Sequence, residues 1–329
     1  MTDVDIEAHV CTVMGADSAR LGERIQALWS GYGEIRRVHL RGADVESVVV
    51  KVVQPPVQRE KVRHARGWNT DRSHQRKLRS YDVERAFYRG PAARCTAESR
   101  VPVAHDCSGG AQRWVFVLED LDASGFALRR FDPDAAEVHA CLVWLAHFHA
   151  TFLGASPEGL WEQGTYWHLA TRPDELSAMN DARLRDAAAA LDARLLGAQH
   201  RTLVHGDAKA ANFCFADDGG RVAAVDFQYV GGGCGMQDVA YFLSSCLDED
   251  GCDARADGCL DDYFASLRSA LDDRMTAPEL DALESEWRAL YPVAWADFYR
   301  FLAGWAPDHH KIHGYSRRMT EQALAELDR

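Results

Sequence analysis

The sequence predicts an α+β fold in which a small β-rich unit precedes a larger, mainly helical one, and three observations predict it. The chain has 329 residues, about twice the ~150 expected per domain. Short β-branched runs and turn signals crowd its first third, whereas after Glu119-Asp120-Leu121 the pattern is helical, broken only by a β-rich island from Thr202 to Phe227. Hydrophobic residues make up 47% and charged ones 26%, a globular balance rather than a disordered or fibrous one. The boundary falls near Leu118 to Ser124, giving a first unit of residues 1–118, a joint of 119–124 and a second unit of 125–329.

The first 30 residues read as helical, with Ile6 and Val10 and then Leu21, Ile25 and Leu28 spaced to make an apolar stripe. Gly31-Tyr32-Gly33-Glu34 is a turn signal, Ile35 to Leu40 a strand, Arg41 to Asp44 a second turn, and Glu46 to Val53 a β-branched strand. A polar, basic connection then leads to a helix from Lys77 to Tyr88, ended by Gly90-Pro91. Strands are expected around Val101 to Ala104 and Trp114 to Leu118. In the second unit, Val138 to Pro157 is long and uncharged but contains His139, His147 and His149, so it reads as a buried helix and not a membrane span.

Charge narrows the partners. There are 37 Lys and Arg against 50 Asp and Glu, a net −13, which disfavours non-specific binding to nucleic acid or an anionic membrane. A basic island of net +6 lies between Val57 and Arg89, and an acidic stretch of net −9 between Asp248 and Glu284. The N-terminal MTDVDIEAHV has no basic n-region followed by an apolar core, so a cytoplasmic location is expected. The nine cysteines show neither C-x-x-C pairing nor metal-ligand spacing and read as buried thiols.

The stretch that carries chemistry is Leu203-Val204-His205-Gly206-Asp207-Ala208-Lys209-Ala210-Ala211-Asn212, followed by a turn at Asp217 to Gly220 and a strand ending Val225-Asp226-Phe227. That turn folds two strands into a hairpin, which brings Asn212 and Asp226 together beside Asp207. Such an oxygen-rich cluster suits Mg²⁺, a hard cation that takes one or two carboxylates plus substrate phosphate oxygens. The spacing matches the catalytic-loop template of kinases, in which an Asp accepts a hydroxyl proton while an Asn and a later Asp hold metal. Lys209 is placed to neutralise charge on a transferred phosphoryl group. Standing alone, His-Gly-Asp is also an ordinary turn.

The same chemistry needs a lysine on a strand of the first unit and a helix glutamate to orient it. Lys51 lies in Val48-Val49-Val50-Lys51-Val52-Val53, where a charge is costly unless paired. Glu84, on the next helix, is its expected partner. The plain alternatives are an outward-facing lysine on an edge strand and a solvated glutamate.

Taken in order, Gly31-Tyr32-Gly33-Glu34-Ile35, Lys51, Ser80 to Glu84, Leu118 to Leu121, His205-Gly206-Asp207 and Val225 to Gln228 resemble the ecdysteroid kinase-like family, a relative of the aminoglycoside phosphotransferases and choline kinases. The resemblance runs from about Gly31 to Tyr315. It implies a protein-kinase-like bilobal fold and ATP- and Mg²⁺-dependent phosphorylation of a hydroxyl on a small molecule. By position, Asp207 is then the catalytic base, Asn212 and Asp226 the metal ligands, and Lys51 the phosphate anchor paired with Glu84. Gly31 and Gly33 form the glycine turn over the nucleotide, and Glu119 and Leu121 belong to the hinge whose backbone meets adenine. The third motif reads Asp-Phe-Gln, and no long activation segment or Ala-Pro-Glu follows, which speaks against loop phosphorylation and a protein substrate.

Two other readings are a non-catalytic nucleotide-binding protein on the same fold and a metal-dependent hydrolase on His205 and Asp207, the latter leaving Lys51 and Glu84 unexplained. Tyr166 to His168 and Trp305 to Lys311 are candidate acceptor contacts, with ordinary packing as the alternative. The glycine run Gly231 to Gly235 reads either as a site of close ligand approach or as a flexible connection. The identity of the acceptor and the oligomeric state are not written in the sequence.

Overall fold

A computed structural model describes residues 2–28, 31–55, 71–110 and 113–328. The chain opens on helix α1 (Asp3–Met14), capped by the Thr2 hydroxyl, which accepts from Asp5 N. The expected helix does not run on to Leu28. Gly15 takes a left-handed conformation, φ +62°, and its N–H closes on the Cys11 carbonyl, a C-cap that glycine adopts without Cβ strain. The Leu21 and Ile25 stripe lies instead in strand β1 (Ser18–Ala27), at the sheet edge, where Ile25 is exposed.

Strands β2 (Gly33–Arg41) and β3 (Ser47–Val53) follow as expected. Helix α2 (Asp71–Arg89) starts a turn and a half before Lys77. The fourth strand is displaced from its expected position: β4 is Ala104–Gly110, and Val101 to Val103 lead into it, with Val103 O accepting from Glu119 N at 2.8 Å. Strand β5 (Arg113–Glu119) completes an antiparallel sheet of order β1-β2-β3-β5-β4. The part of the basic island before Asp71, residues 56–70, lies outside the described residues.

Strand alternation assigns the two faces of this sheet. Val48, Val50 and Val52 of β3 and Val115 and Val117 of β5 pack with Ile6 and Val10 of α1 in one apolar cluster. The odd positions of β3, Val49, Lys51 and Val53, therefore point to the other face, where Val53, Trp114, Phe116 and Leu118 join Tyr81 and Phe87 of α2 in the main core.

The second lobe is mainly helical. After the short β6 (Leu128–Arg129) come α3 (Ala135–Phe152), α4 (Pro173–Ala178) and α5 (Ala182–Leu196). The β-rich island supplies β7 (Thr202–Val204), β8 (Phe213–Phe215) and β9 (Val222–Ala224). The glycine run is neither open nor a loose connection: Gly231–Gly233 is a buried strand, β10, paired antiparallel with β7. Helices α6 (Gly235–Cys246), α7 (Glu249–Leu271), α8 (Ala277–Trp305) and α9 (Gly314–Leu327) complete the chain. The core of this lobe holds Trp144, Phe148, Trp287 and Trp295 almost without exposure. The fold is thus protein-kinase-like and bilobal, with a small sheet-based N-lobe and a larger helical C-lobe. Among the described residues no helix is long and apolar enough to cross a membrane.

Candidate active site

Because Lys51 shares its face with Val53, its side chain turns toward α2 and meets Glu84. The Nζ donates to both carboxylate oxygens, at 2.7 and 2.9 Å, and the pair is almost fully buried. The outward-facing alternative for Lys51 and the solvated one for Glu84 are thereby excluded. Burial pushes the Glu84 carboxyl above its usual range, and Lys51 pulls it back. Lys51 Nζ also lies 3.8 Å from Asp226 Oδ1, so it faces carboxylates from both lobes.

The hairpin of β8 and β9 does what its turn predicts. Val225 N donates to Asn212 O at 3.0 Å, which sets Asn212 and Asp226 on adjoining ends of two paired strands. Asn212 directs its amide NH₂ at Asp207, 2.8 Å to the main-chain oxygen and 3.1 Å to Oδ2. Lys209 Nζ donates to the same Oδ2 at 2.8 Å. Tyr241, from α6, donates to the opposite oxygen, Oδ1, at 3.1 Å. Asp226 has a left-handed backbone, φ +70°, an uncommon state for a residue with a Cβ that the surroundings must hold in place. Burial works against its carboxylate, but Lys51 and Lys209 outweigh it and hold Asp226 below the usual range.

Several supports of this cluster carry no motif. Asp238, fully buried on α6, accepts from His205 N at 2.6 Å and Gly206 N at 2.9 Å, and His149 contacts it at 3.1 Å. His205 Nε2 donates to Val225 O at 3.0 Å, and its Nδ1 accepts from Asp207 N at 3.2 Å, so one imidazole ties the loop carrying Asp207 to the segment after β9 that carries Asp226. Gly206 has φ +79°, and a Cβ there would stand 2.1 Å from Tyr229 O; only glycine fits. Phe227 stacks on Phe87 of α2 with ring centres 4.0 Å apart. Gln228, where a glycine stands in the protein-kinase pattern, receives a hydrogen bond from Ser80 of α2 and donates to Asp226 Oδ1 at 2.5 Å. Tyr241 and Asp238 lie more than 30 residues from Asp207, a separation no spacing rule covers.

Lys51, Glu84, Asp207, Lys209, Asn212 and Asp226 all line one cavity of about 1740 Å³ between the lobes. Gly31 lies in the β1–β2 turn and Gly33 begins β2, with Tyr32 between them on the cavity wall and bonded to His74. At the joint, the Glu119 carboxylate turns to Arg100, 2.5 Å away, and to Val103 N. Asp120 is held by Arg37 at 2.6 Å and Ser47 at 2.7 Å. Leu121 lines the cavity, and its N–H makes no hydrogen bond among the described residues. Of the candidate acceptor contacts, Tyr166 and Trp305 line the cavity. Trp167 is core, and His168 is 6% exposed.

The donor set fits a hard cation. Asn212 commits its NH₂ to Asp207, which leaves its carbonyl oxygen for another partner, and Asp226 is held ionised; oxygen ligands of this kind suit Mg²⁺. No group of three His, Cys, Asp or Glu side chains placed to hold a metal occurs among the described residues.

A two-lobed fold closing on such a cavity, with a buried Lys–Glu pair above and an Asp/Asn/Asp cluster below, defines a kinase-like phosphotransferase. The chain belongs to the APH phosphotransferase enzyme family, whose model matches residues 25–278. A comparison with curated proteins returns no match. Solved structures similar to this chain include a microcompartment-associated aminopropanol kinase, 15% identical over 99% of this chain and 97% of that one, TM-score 0.48. A macrolide 2′-phosphotransferase from Brachybacterium faecium is 13% identical over 98% and 97%, TM-score 0.46. A choline/ethanolamine kinase family protein from Mesorhizobium loti is 14% identical over 94% and 88%, TM-score 0.44.

Proposed function

We propose that this chain transfers the γ-phosphoryl group of Mg·ATP to a hydroxyl of a small molecule, a cytoplasmic activity in which Glu119 to Ser124 hinge the 1–118 lobe on the 125–329 lobe. The supporting observation is that Lys51, held by Glu84, and the Asp207/Asn212/Asp226 cluster face the same cavity. In this reading the free Leu121 N–H receives the adenine edge, the Gly31–Gly33 turn covers the phosphates, and Lys51 holds their α/β oxygens. Asn212 and Asp226 would hold Mg²⁺, which supplies neutralisation of phosphate charge as the bond to the leaving group breaks.

Asp207, fixed by Lys209, Asn212 and Tyr241, orients the acceptor hydroxyl and takes its proton. The new O–P bond forms as the bond between the γ-phosphorus and the bridging oxygen breaks, and ADP leaves with that electron pair. Lys209 sits beside Asp207, where it neutralises the transferred group in flight. Asp207→Ala therefore abolishes turnover while Mg·ATP binding persists. Full activity in that variant would overturn the assignment, whereas binding without ATP consumption by the wild-type chain, across a broad acceptor screen, would favour a non-catalytic nucleotide-binding protein.

A further inference from the structure

Around Asp207 the cavity wall is aromatic and cationic. Tyr166, Tyr229, Phe301 and Trp305 line it together with two guanidiniums, Arg76 from α2 and Arg172 from the residue preceding α4. Arg172 is 8% exposed at its side chain. Its Nε donates to Tyr166 O at 2.7 Å and its Nη1 to Glu175 at 3.1 Å, and its Cζ lies 4.9 Å from the Phe301 ring centre. Its Nη2 makes no hydrogen bond among the described residues. Arg76 donates to Thr171 O at 2.9 Å and Ser73 Oγ at 3.3 Å, and among the described residues no carboxylate lies within ion-pair distance of it. Two guanidiniums thus share one carboxylate, Glu175.

The surrounding groups register this excess of positive charge. Burial and then Arg172 hold Arg76 below its usual range, and burial followed by Arg172, Arg300 and Arg76 pushes His168 down to about 4. Arg300 is answered by its own buried partner, Asp297, at 2.8 Å. Tyr166, whose main-chain oxygen Arg172 holds, packs against Tyr229 at 5.9 Å and against Tyr241 at 5.6 Å, and Tyr241 donates to Asp207, so the guanidinium pair and Asp207 line the same stretch of cavity wall. The cavity offers little to a cationic acceptor. Its carboxylates are Glu84 on Lys51, Asp207 and Asp226 in the cluster, Glu119, Asp120 and Asp122 on Arg100, Arg37 and Arg129, and Asp71, exposed at the start of α2.

We propose that Arg76 and Arg172 form a subsite for an anionic group, carboxylate or phosphate, carried by the acceptor itself, so that the substrate is a hydroxylated organic anion with a flat or ring-bearing body. The inference rests on the phosphotransferase reading and names the substrate class for it. A guanidinium matches carboxylate and phosphate oxygens in fixed fork geometry, the surrounding rings take a flat body on their faces, and an anion here relieves the repulsion between two cations that have one counter-charge among the described residues.

The test loads the full chain with Mg·ADP and titrates three probes on one frame, 4-(hydroxymethyl)benzoate, 1,4-benzenedimethanol and 4-(aminomethyl)benzyl alcohol, by calorimetry. The carboxylate is expected to bind about tenfold tighter than the diol, the loss of a hydrogen bond to a charged group being of that order, with the amine weakest. Arg76→Gln should erase this preference and Arg76→Lys restore part of it. Equal binding of the three probes, tightest binding of the amine, or no binding of the carboxylate overturns the proposal. So does Arg76→Gln weakening Mg·ADP instead of the carboxylate, which puts the guanidinium on the nucleotide. Inorganic phosphate binding as tightly as the carboxylate, with the same sensitivity to Arg76→Gln, would make this a site for free phosphate and also overturn it. Failure of the phosphotransferase reading is separately visible, as absence of Mg·ATP binding and consumption by the wild-type chain.

Discussion

Three donors from three places fix Asp207: Lys209 and Asn212 on one oxygen, Tyr241 on the other. The Tyr241 bond is the one that sequence spacing does not anticipate, because α6 delivers it from 34 residues away. Losing a hydrogen bond to a charged acceptor costs about 1.5 kcal/mol, or about tenfold in rate. Tyr241→Phe should therefore lower kcat about tenfold and leave KM for Mg·ATP nearly unchanged; an unaltered kcat would remove Tyr241 from the site. A second residue sets an acid limit. Buried His168 has no hydrogen-bond partner at either ring nitrogen among the described residues, and burial with the neighbouring arginines holds it at about 4 in the folded state, from 6.5. The unfolded chain binds that proton first as pH falls, so stability is whole above about 6.5 and is lost on acidification toward 4, by a few kcal/mol (roughly 1.4 per unit). Urea unfolding at pH 7 and pH 4.5 should show this loss, and His168→Phe should shrink it; an equal pH dependence in the variant would exonerate the histidine.

Period-two alternation places Lys51, and so this part of the site was legible from β3 alone: one charged residue among valines, on the face opposite Val50 and Val52. Glu84 followed because a buried lysine needs a partner on the adjoining helix. β1 was not legible, because it is an edge strand whose residues alternate poorly in burial while Leu21 and Ile25 happen to stand four apart. The displaced β4 has a related cause: Ala104–Gly110 is polar and glycine-rich, and it is held as a strand by pairing with β5 rather than by its own propensity. The β3–α2 ion pair separates stability from function. Lys51→Met leaves Glu84 buried without its cation and should cost about 3–5 kcal/mol. Adding Glu84→Gln removes the orphaned charge and should recover most of that loss without recovering nucleotide use. Denaturant unfolding beside ATP kinetics distinguishes the two; recovery of activity in the double variant would take Lys51 out of the site.

For the whole molecule, the net charge of −13 would suggest poor affinity for a polyanion, yet its acids and bases are sorted. The acidic run from Asp248 to Glu284 forms α7 and the start of α8, where Arg268, Arg288 and Arg318 answer part of it. The cavity instead gathers Lys51, Lys77, Arg76 and Lys209, with Lys77 pushed down to about 8 by burial and by Lys51. The residues proposed to hold Mg·ATP come from both lobes, Lys51 from the sheet and Asn212 and Asp226 from the ends of the β8–β9 hairpin, and the Phe87–Phe227 stack already joins α2, which carries the Lys51 partner Glu84, to the segment that carries Asp226. A ligand bound only by this folded arrangement stabilises it by mass action, about 2.7 kcal/mol at a hundredfold excess over Kd. For a chain of this size that is a rise of roughly 5 °C in Tm. If Asn212 and Asp226 act on the nucleotide through the metal, as proposed, ATP with excess EDTA should give a clearly smaller rise. The Lys51→Met/Glu84→Gln variant should give little rise under either condition. An equal rise with and without Mg²⁺ would show that the nucleotide is held without the metal, and would remove Asn212 and Asp226 from its binding while leaving the Lys51 anchor to be judged by the double variant.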